Sequence, residues 1–206
     1  MLHGGLEGSE LELRAAGNGR RRIRGRFPYN SKAVLSDGGR TGRPQKEQFA
    51  PGAFTYSLKA PTDIHLLFGH SFDKPLASKN NGTLTFDDTD DALTFDADIV
   101  PEVAETSYAR DLFSLIAAGL VLGLSPGFRI PPPSAVPADE AEKVEEEDPN
   151  IGRALIRTIF AAILFELSIV TRPAYDQAQV EARNWQPSAG GVLLPAPAHP
   201  LKRWRL

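Results

Sequence analysis

The chain has 206 residues, 41% of them hydrophobic and 24% charged, with a net charge of -3 and no cysteine. That length allows one domain with a sizeable core, and the absence of cysteine excludes disulfides and thiol catalysis. The mild acidity gives no reason to expect nucleic acid or a membrane surface as a partner.

The opening stretch, MLHGGLEGSELEL, has no basic run before an apolar one, so it does not read as a secretory signal. No apolar run reaches the length of a bilayer span. Eighteen glycines and 17 prolines predict many short elements rather than long helices. Residues 1–19 read as a flexible N-terminal segment in which Glu10 to Arg14 have an edge-strand pattern. Residues 20–186 read as the folded domain and 187–206 as a disordered C-terminal tail.

Arg20 to Tyr29 alternates basic with apolar or small side chains, a strand with one wet face. Its arginines invite phosphate, but in an acidic chain a solvated face is the better reading. Asn30 to Gln45 is a polar loop. Gln48 to Leu58 reads as a turn and a short helix, with Phe49, Phe54 and Leu58 on one apolar face. The apolar run Ile64 to Phe68 delivers Gly69 and His70 to a polar turn closed by Pro75. Gly82 to Phe86 and Ala92 to Val100 alternate as strands around DDTDD, a hairpin tip that lacks the glycine and terminal glutamate of a calcium loop.

Glu102 to Ala118 has helical spacing, with Gly119 as its stop. Leu120 to Leu124 reads as a short strand ending in Ser125-Pro126-Gly127-Phe128. The segment 131–150, with three prolines and then DEAEKVEEED, reads as a mobile acidic loop. Arg153 to Ile159 and Ala161 to Val170 are strand-like, and the second holds Glu166 inside the most apolar part of the chain. A short helix is expected from Asp176 to Asn184. There is no internal repeat.

His70, Ser125 and Glu166 are polar residues in or beside apolar runs. A hydroxyl becomes a nucleophile when a base takes its proton, and the base works best when a carboxylate fixes its tautomer. A buried carboxylate needs a partner, and His70 would serve Glu166. Ser168 shares a face with Glu166 and is a rival nucleophile; His65 is a rival base. The bland alternative is that Glu166 faces solvent on an edge strand and Ser125 starts a turn. The spacing contains no H-E-x-x-H pair, so no metal is called for, and no cofactor. For an oxyanion hole, Pro126 has no N–H to give. The donor must then be Gly127 or come from another segment, a backbone N–H near Arg153 to Arg157 being one candidate.

Four blocks in order carry a resemblance: GAFTYSL, LLFGH followed by Pro75 and Leu76, AAGLVLGLSPGF, and FELSIVTRPAYDQAQV. The chain resembles the prohead proteases of tailed bacteriophages, capsid-maturation serine peptidases whose fold is similar to the herpesvirus assemblin protease. The resemblance maps the catalytic His onto His70 and the nucleophile onto Ser125, and implies Glu166 as third member. Ser71, Ala77 and Pro126 depart from the family pattern. The implied fold is mainly β with flanking helices (α+β), built on a small closed β-barrel. The implied activity is endopeptidase cleavage of scaffolding protein, or of a scaffold-like segment of the major capsid protein, and then of the protease itself. It would act inside the assembling prohead in the host cytoplasm and be absent from the mature virion. Those capsid and scaffold chains are the implied partners, with a homodimer among the states that the resemblance allows. The alternative function is a non-catalytic scaffold-binding module with the same fold.

Overall fold

The computed structural model describes residues 2–3, 10–15, 19–120, 123–171, 186–187 and 193–194. In chain order the strands are β1 (Leu2–His3), β2 (Glu10–Ala15), β3 (Arg21–Pro28), β4 (Ala33–Ser36) and β5 (Gln45–Phe49). Helix α1 (Thr55–Lys59) follows, then β6 (His65–Phe68), β7 (Ser71–Ser78), β8 (Leu84–Asp88) and β9 (Ala92–Ile99). Helices α2 (Pro101–Ala104) and α3 (Ser107–Ala117) precede β10 (Gly123–Arg129). The described chain continues with α4 (Ala138–Ala141), β11 (Glu142–Glu146), β12 (Leu155–Ile159) and β13 (Ile163–Val170). The short strands β14 (Gln186–Pro187) and β15 (Leu193–Leu194) pair with each other.

The fold is mainly β with a few helices, as expected. The closed barrel is not what the described strands form. They make a five-stranded sheet ordered β1-β10-β13-β6-β7 and two four-stranded sheets, β11-β12-β5-β4 and β2-β3-β9-β8, each open at its ends. The sheets meet through an aromatic core. Phe49 of β5 lies edge-on to Phe27 of β3 at 5.5 Å and to Phe128 of β10 at 5.0 Å, and 4.9 Å from Phe54 at the start of α1. Helix α1 is pinned to the five-stranded sheet by Ser57, which donates to the Ala162 carbonyl (3.1 Å) and accepts from the Leu164 N–H (2.8 Å). Lys79 closes the other end of α1, its Nζ donating to the carbonyls of Leu58 (3.2 Å), Ala60 (2.5 Å) and Thr62 (3.1 Å).

Gly25 shows how closely two sheets approach. A Cβ there would lie 2.3 Å from the Phe95 ring and 3.0 Å from Leu124 of β10. Gly25→Ala is therefore expected to overpack the core and destabilise the protein by about 1–3 kcal/mol, read as a lower denaturation midpoint. At β3 two of the arginines face neighbouring acids and a third, Arg21, lies over the Phe113 ring. Arg20 pairs with Asp98, and Arg24 approaches Asp96 at 3.8 Å, in keeping with a solvated strand face.

Several expectations are corrected. The polar loop 30–45 contains β4. The helix 102–118 is two helices, because Thr106 caps the second by accepting from the Ala109 N–H. The acidic segment read as a mobile loop forms α4 and β11. Its charge is matched by β5, the loop before it and the neighbouring strand β12. Arg157 holds Glu142 and Glu47, Arg43 holds Glu146 at 2.7 Å, and Lys46 holds Glu147 at 2.5 Å. Burial pushes the Glu47 carboxyl up, further than Arg157 pulls it down. Burial also raises Glu147, but its hydrogen bonds from Lys46 and the Ala154 N–H prevail and hold it below the usual range. In the N-terminal segment the edge-strand pattern of Glu10 to Arg14 is borne out as β2, while β1 at Leu2–His3 was not expected. The helix expected at Asp176 to Asn184 and most of the tail at 187–206 lie outside the described residues. Among the described residues no helix is long and apolar enough to cross a membrane.

Candidate active site

The site is built on three adjacent strands, β10, β13 and β6. Strand alternation sends Leu124, Leu167, Ile169 and Leu66 into the core. Ser125, Glu166 and Ser168 therefore share the opposite face. Ser125 is not at the end of its strand, as the sequence suggested, but inside β10, directly across from Ser168. Gly127 is directly across from Glu166. Pro126 is tolerated there because β1 reaches only Gly127 and Phe128, leaving that side of β10 without a described strand at the proline.

His70 reaches the same face from a turn. Phe68 pairs with Ser71, so Gly69-His70 is a two-residue hairpin connection. Both residues have positive φ, 65° and 59°, as a type I′ turn requires. Glycine adopts this freely, whereas histidine does so at a cost of about 1–2 kcal/mol. The turn is tied to β13 at two points. The Gly69 N–H donates to the Ile169 carbonyl (3.0 Å), and the His70 N–H donates to Ser168 Oγ (3.0 Å).

The imidazole Nδ1 lies 2.8 Å from Glu166 Oε1, and Ser168 Oγ donates to Glu166 Oε2 at 2.6 Å. A carboxylate only accepts, so Nδ1 carries a proton, and in the neutral imidazole the lone pair is then on Nε2. Glu166 is 1% exposed, so the bland reading of a solvated edge carboxylate does not hold. Ser125 is 0% exposed, and its Oγ has no hydrogen-bond partner among the described residues. The imidazole is 21% exposed and is the part of this cluster that meets solvent.

The other residues weighed in the sequence lie elsewhere or do something else. His65 stands at the start of β6, 3.5 Å from Asp63 and edge-on to Phe72 at 5.9 Å. Arg153 and Arg157 are not brought to His70. The Arg153 carbonyl accepts from Arg43, and the Arg157 guanidinium is taken by Glu142 and Glu47. The neighbouring donors are used as well, the Ala154 N–H by Glu147 and the Leu155 N–H by Pro44. Gly127 runs between β1 and β13, so its N–H is directed along the sheet toward a ladder rather than out of the face that carries Ser125. Its lack of a side chain matters more. A Cβ at 127 would sit 2.1 Å from Glu166 Oε1, so the glycine is the space in which the carboxylate lies. Sequence reasoning had no signal for that role, although the Glu-x-Ser spacing did signal that Ser168 and Glu166 share a face. Among the described residues there is no group of three or more His, Asp or Glu side chains able to hold a metal ion.

A serine, a histidine and a buried carboxylate thus converge on one face of one sheet, with the histidine's tautomer set for accepting a proton. Comparison with curated proteins and with solved structures gave no match. Comparison with protein families gave one, the caudovirus prohead serine protease, over residues 10–189. The chain belongs to the family of caudovirus prohead serine proteases, the enzymes of phage capsid maturation.

Proposed function

We propose that Ser125 is the nucleophile of this serine protease, His70 its general base and then general acid, and Glu166 the carboxylate that orients His70. The observation that carries the reading is the 2.8 Å contact between His70 Nδ1 and Glu166 Oε1, with Ser125 one strand away on the same face. His70 Nε2 takes the proton from Ser125 Oγ as that oxygen bonds to the scissile carbonyl carbon. The imidazolium is stabilised by Glu166 and gives the proton to the leaving amine. Water, activated by the same imidazole, then hydrolyses the acyl-serine. Substrate enters from the side of the imidazole, the solvent-facing part of the cluster.

The substrates are the scaffolding protein or the scaffold-like segment of the capsid protein within the prohead, followed by the protease itself, whose fragments leave the shell. Confinement raises effective concentration, so modest intrinsic activity suffices. The assemblin-like fold belongs to this proposal too, as the family's architecture. The test is co-expression with the neighbouring capsid and scaffold proteins, wild type against Ser125→Ala, with intact mass read on every product. Cleavage by the wild type alone is expected, and the new termini define the specificity. Identical masses from both, in well-formed shells, would favour a scaffold-binding module instead.

A further inference from the structure

We infer that Ser168 is a positioning residue for catalysis, one hydroxyl that holds both His70 and Glu166 in register; this rests on the catalytic reading above. Its oxygen accepts the His70 backbone N–H at 3.0 Å while its proton goes to Glu166 Oε2 at 2.6 Å. Glu166 Oε1 in turn faces His70 Nδ1 at 2.8 Å, closing a ring of three hydrogen bonds. The ring ties the backbone and the imidazole of one residue to neighbouring positions of a single strand. That residue is the one the turn holds at a φ of 59°, a conformation that needs external support. Ser168 is fully buried and lies directly across the ladder from Ser125, so the same side chain also borders the nucleophile. With its proton given to a carboxylate and its oxygen already accepting, Ser168 is equipped to orient rather than to attack.

The experiment uses the full chain, purified as wild type, Ser168→Ala and Ser168→Thr. Each is assayed on a peptide spanning a mapped cleavage site, and each is treated with a serine-reactive fluorophosphonate whose attachment is located by mass spectrometry. Ser168→Ala is expected to lower kcat by about 10–100-fold with KM little changed, because the imidazole is present but less well aimed. Ser168→Thr, which keeps the hydroxyl, is expected to recover most of the loss. In histidine-labelled protein the His70 Nδ1–H resonance is expected to broaden or shift in Ser168→Ala. Should Ser168→Ala not fold, Ser168→Cys takes its place, since a thiol keeps the volume but donates weakly.

Wild-type kcat in Ser168→Ala overturns the inference, and so does a loss of kcat with the Nδ1–H signal unchanged. Label found on Ser168 would make it the nucleophile and overturn both assignments. Wild-type protein that neither cleaves nor takes label removes the catalytic reading and this role with it. Label on Ser125 beside a fully active Ser168→Ala removes the positioning role alone.

Discussion

His70→Ala is expected to lower kcat by about 10^6-fold, and His70→Gly to do the same in a protein that melts about 2–4 °C higher than the alanine variant. Both variants remove the imidazole and leave Glu166 with Ser168 as a hydrogen-bond donor. They differ in the backbone. At a φ of 59° alanine clashes with its own carbonyl and glycine does not, a difference of about 1 kcal/mol. The pair therefore separates chemistry from strain. The turn sequence Gly-His gives up stability at its second position to set an imidazole over the sheet. Rates on a mapped peptide and thermal melts of both variants check the two parts. Equal melting temperatures would mean that the turn relaxes when the ring is lost.

Glu166→Gln is expected to lower kcat by about 10^4-fold while the fold survives. The carboxylate accepts on both oxygens, from His70 Nδ1 on one and from Ser168 Oγ on the other. An amide of the same shape can accept on only one. With its NH2 toward His70 it forces the proton onto Nε2, the wrong nitrogen for a base. With its NH2 toward Ser168 it leaves that hydroxyl facing a donor. Either orientation also removes the negative charge that stabilises the imidazolium. The pocket itself is preserved, because Gly127 still supplies the room beside position 166. The check is kcat with a circular-dichroism spectrum and a melt beside it. A loss of only a fewfold would mean that another group orients His70.

The residues of the candidate site could be singled out in the sequence because Ser125 and Glu166 are polar among apolar neighbours and His70 directly follows an apolar run. Such a break in pattern is visible locally. Their partners could not be read in the same way. Glu166 and His70 are 96 positions apart, and their contact depends on β6 lying parallel to β13. The acidic segment 131–150 reads as a mobile loop for a related reason. Its compensating cations come from other parts of the chain, Lys46 from β5, Arg157 from β12 and Arg43 from the loop before β5. Charge density alone predicts solvation, and only pairing across a sheet turns that segment into β11.

The sequence by itself determined the mainly β character, the order of the motif blocks and the polar residues set into apolar strands, since composition and periodicity act over a few neighbouring positions. The tertiary structure decided which side chains meet. It buried Ser125 inside β10 rather than at its end. It placed Arg157 in another sheet and Arg153 in the loop that precedes that strand. It made Gly127 a space for a carboxylate and Ser168 a tie between two strands. Register and sheet order are set by the sum of long-range contacts. A one-residue slip between β10 and β13 would send Ser125 and Ser168 to opposite faces, and no local pattern can specify that alignment.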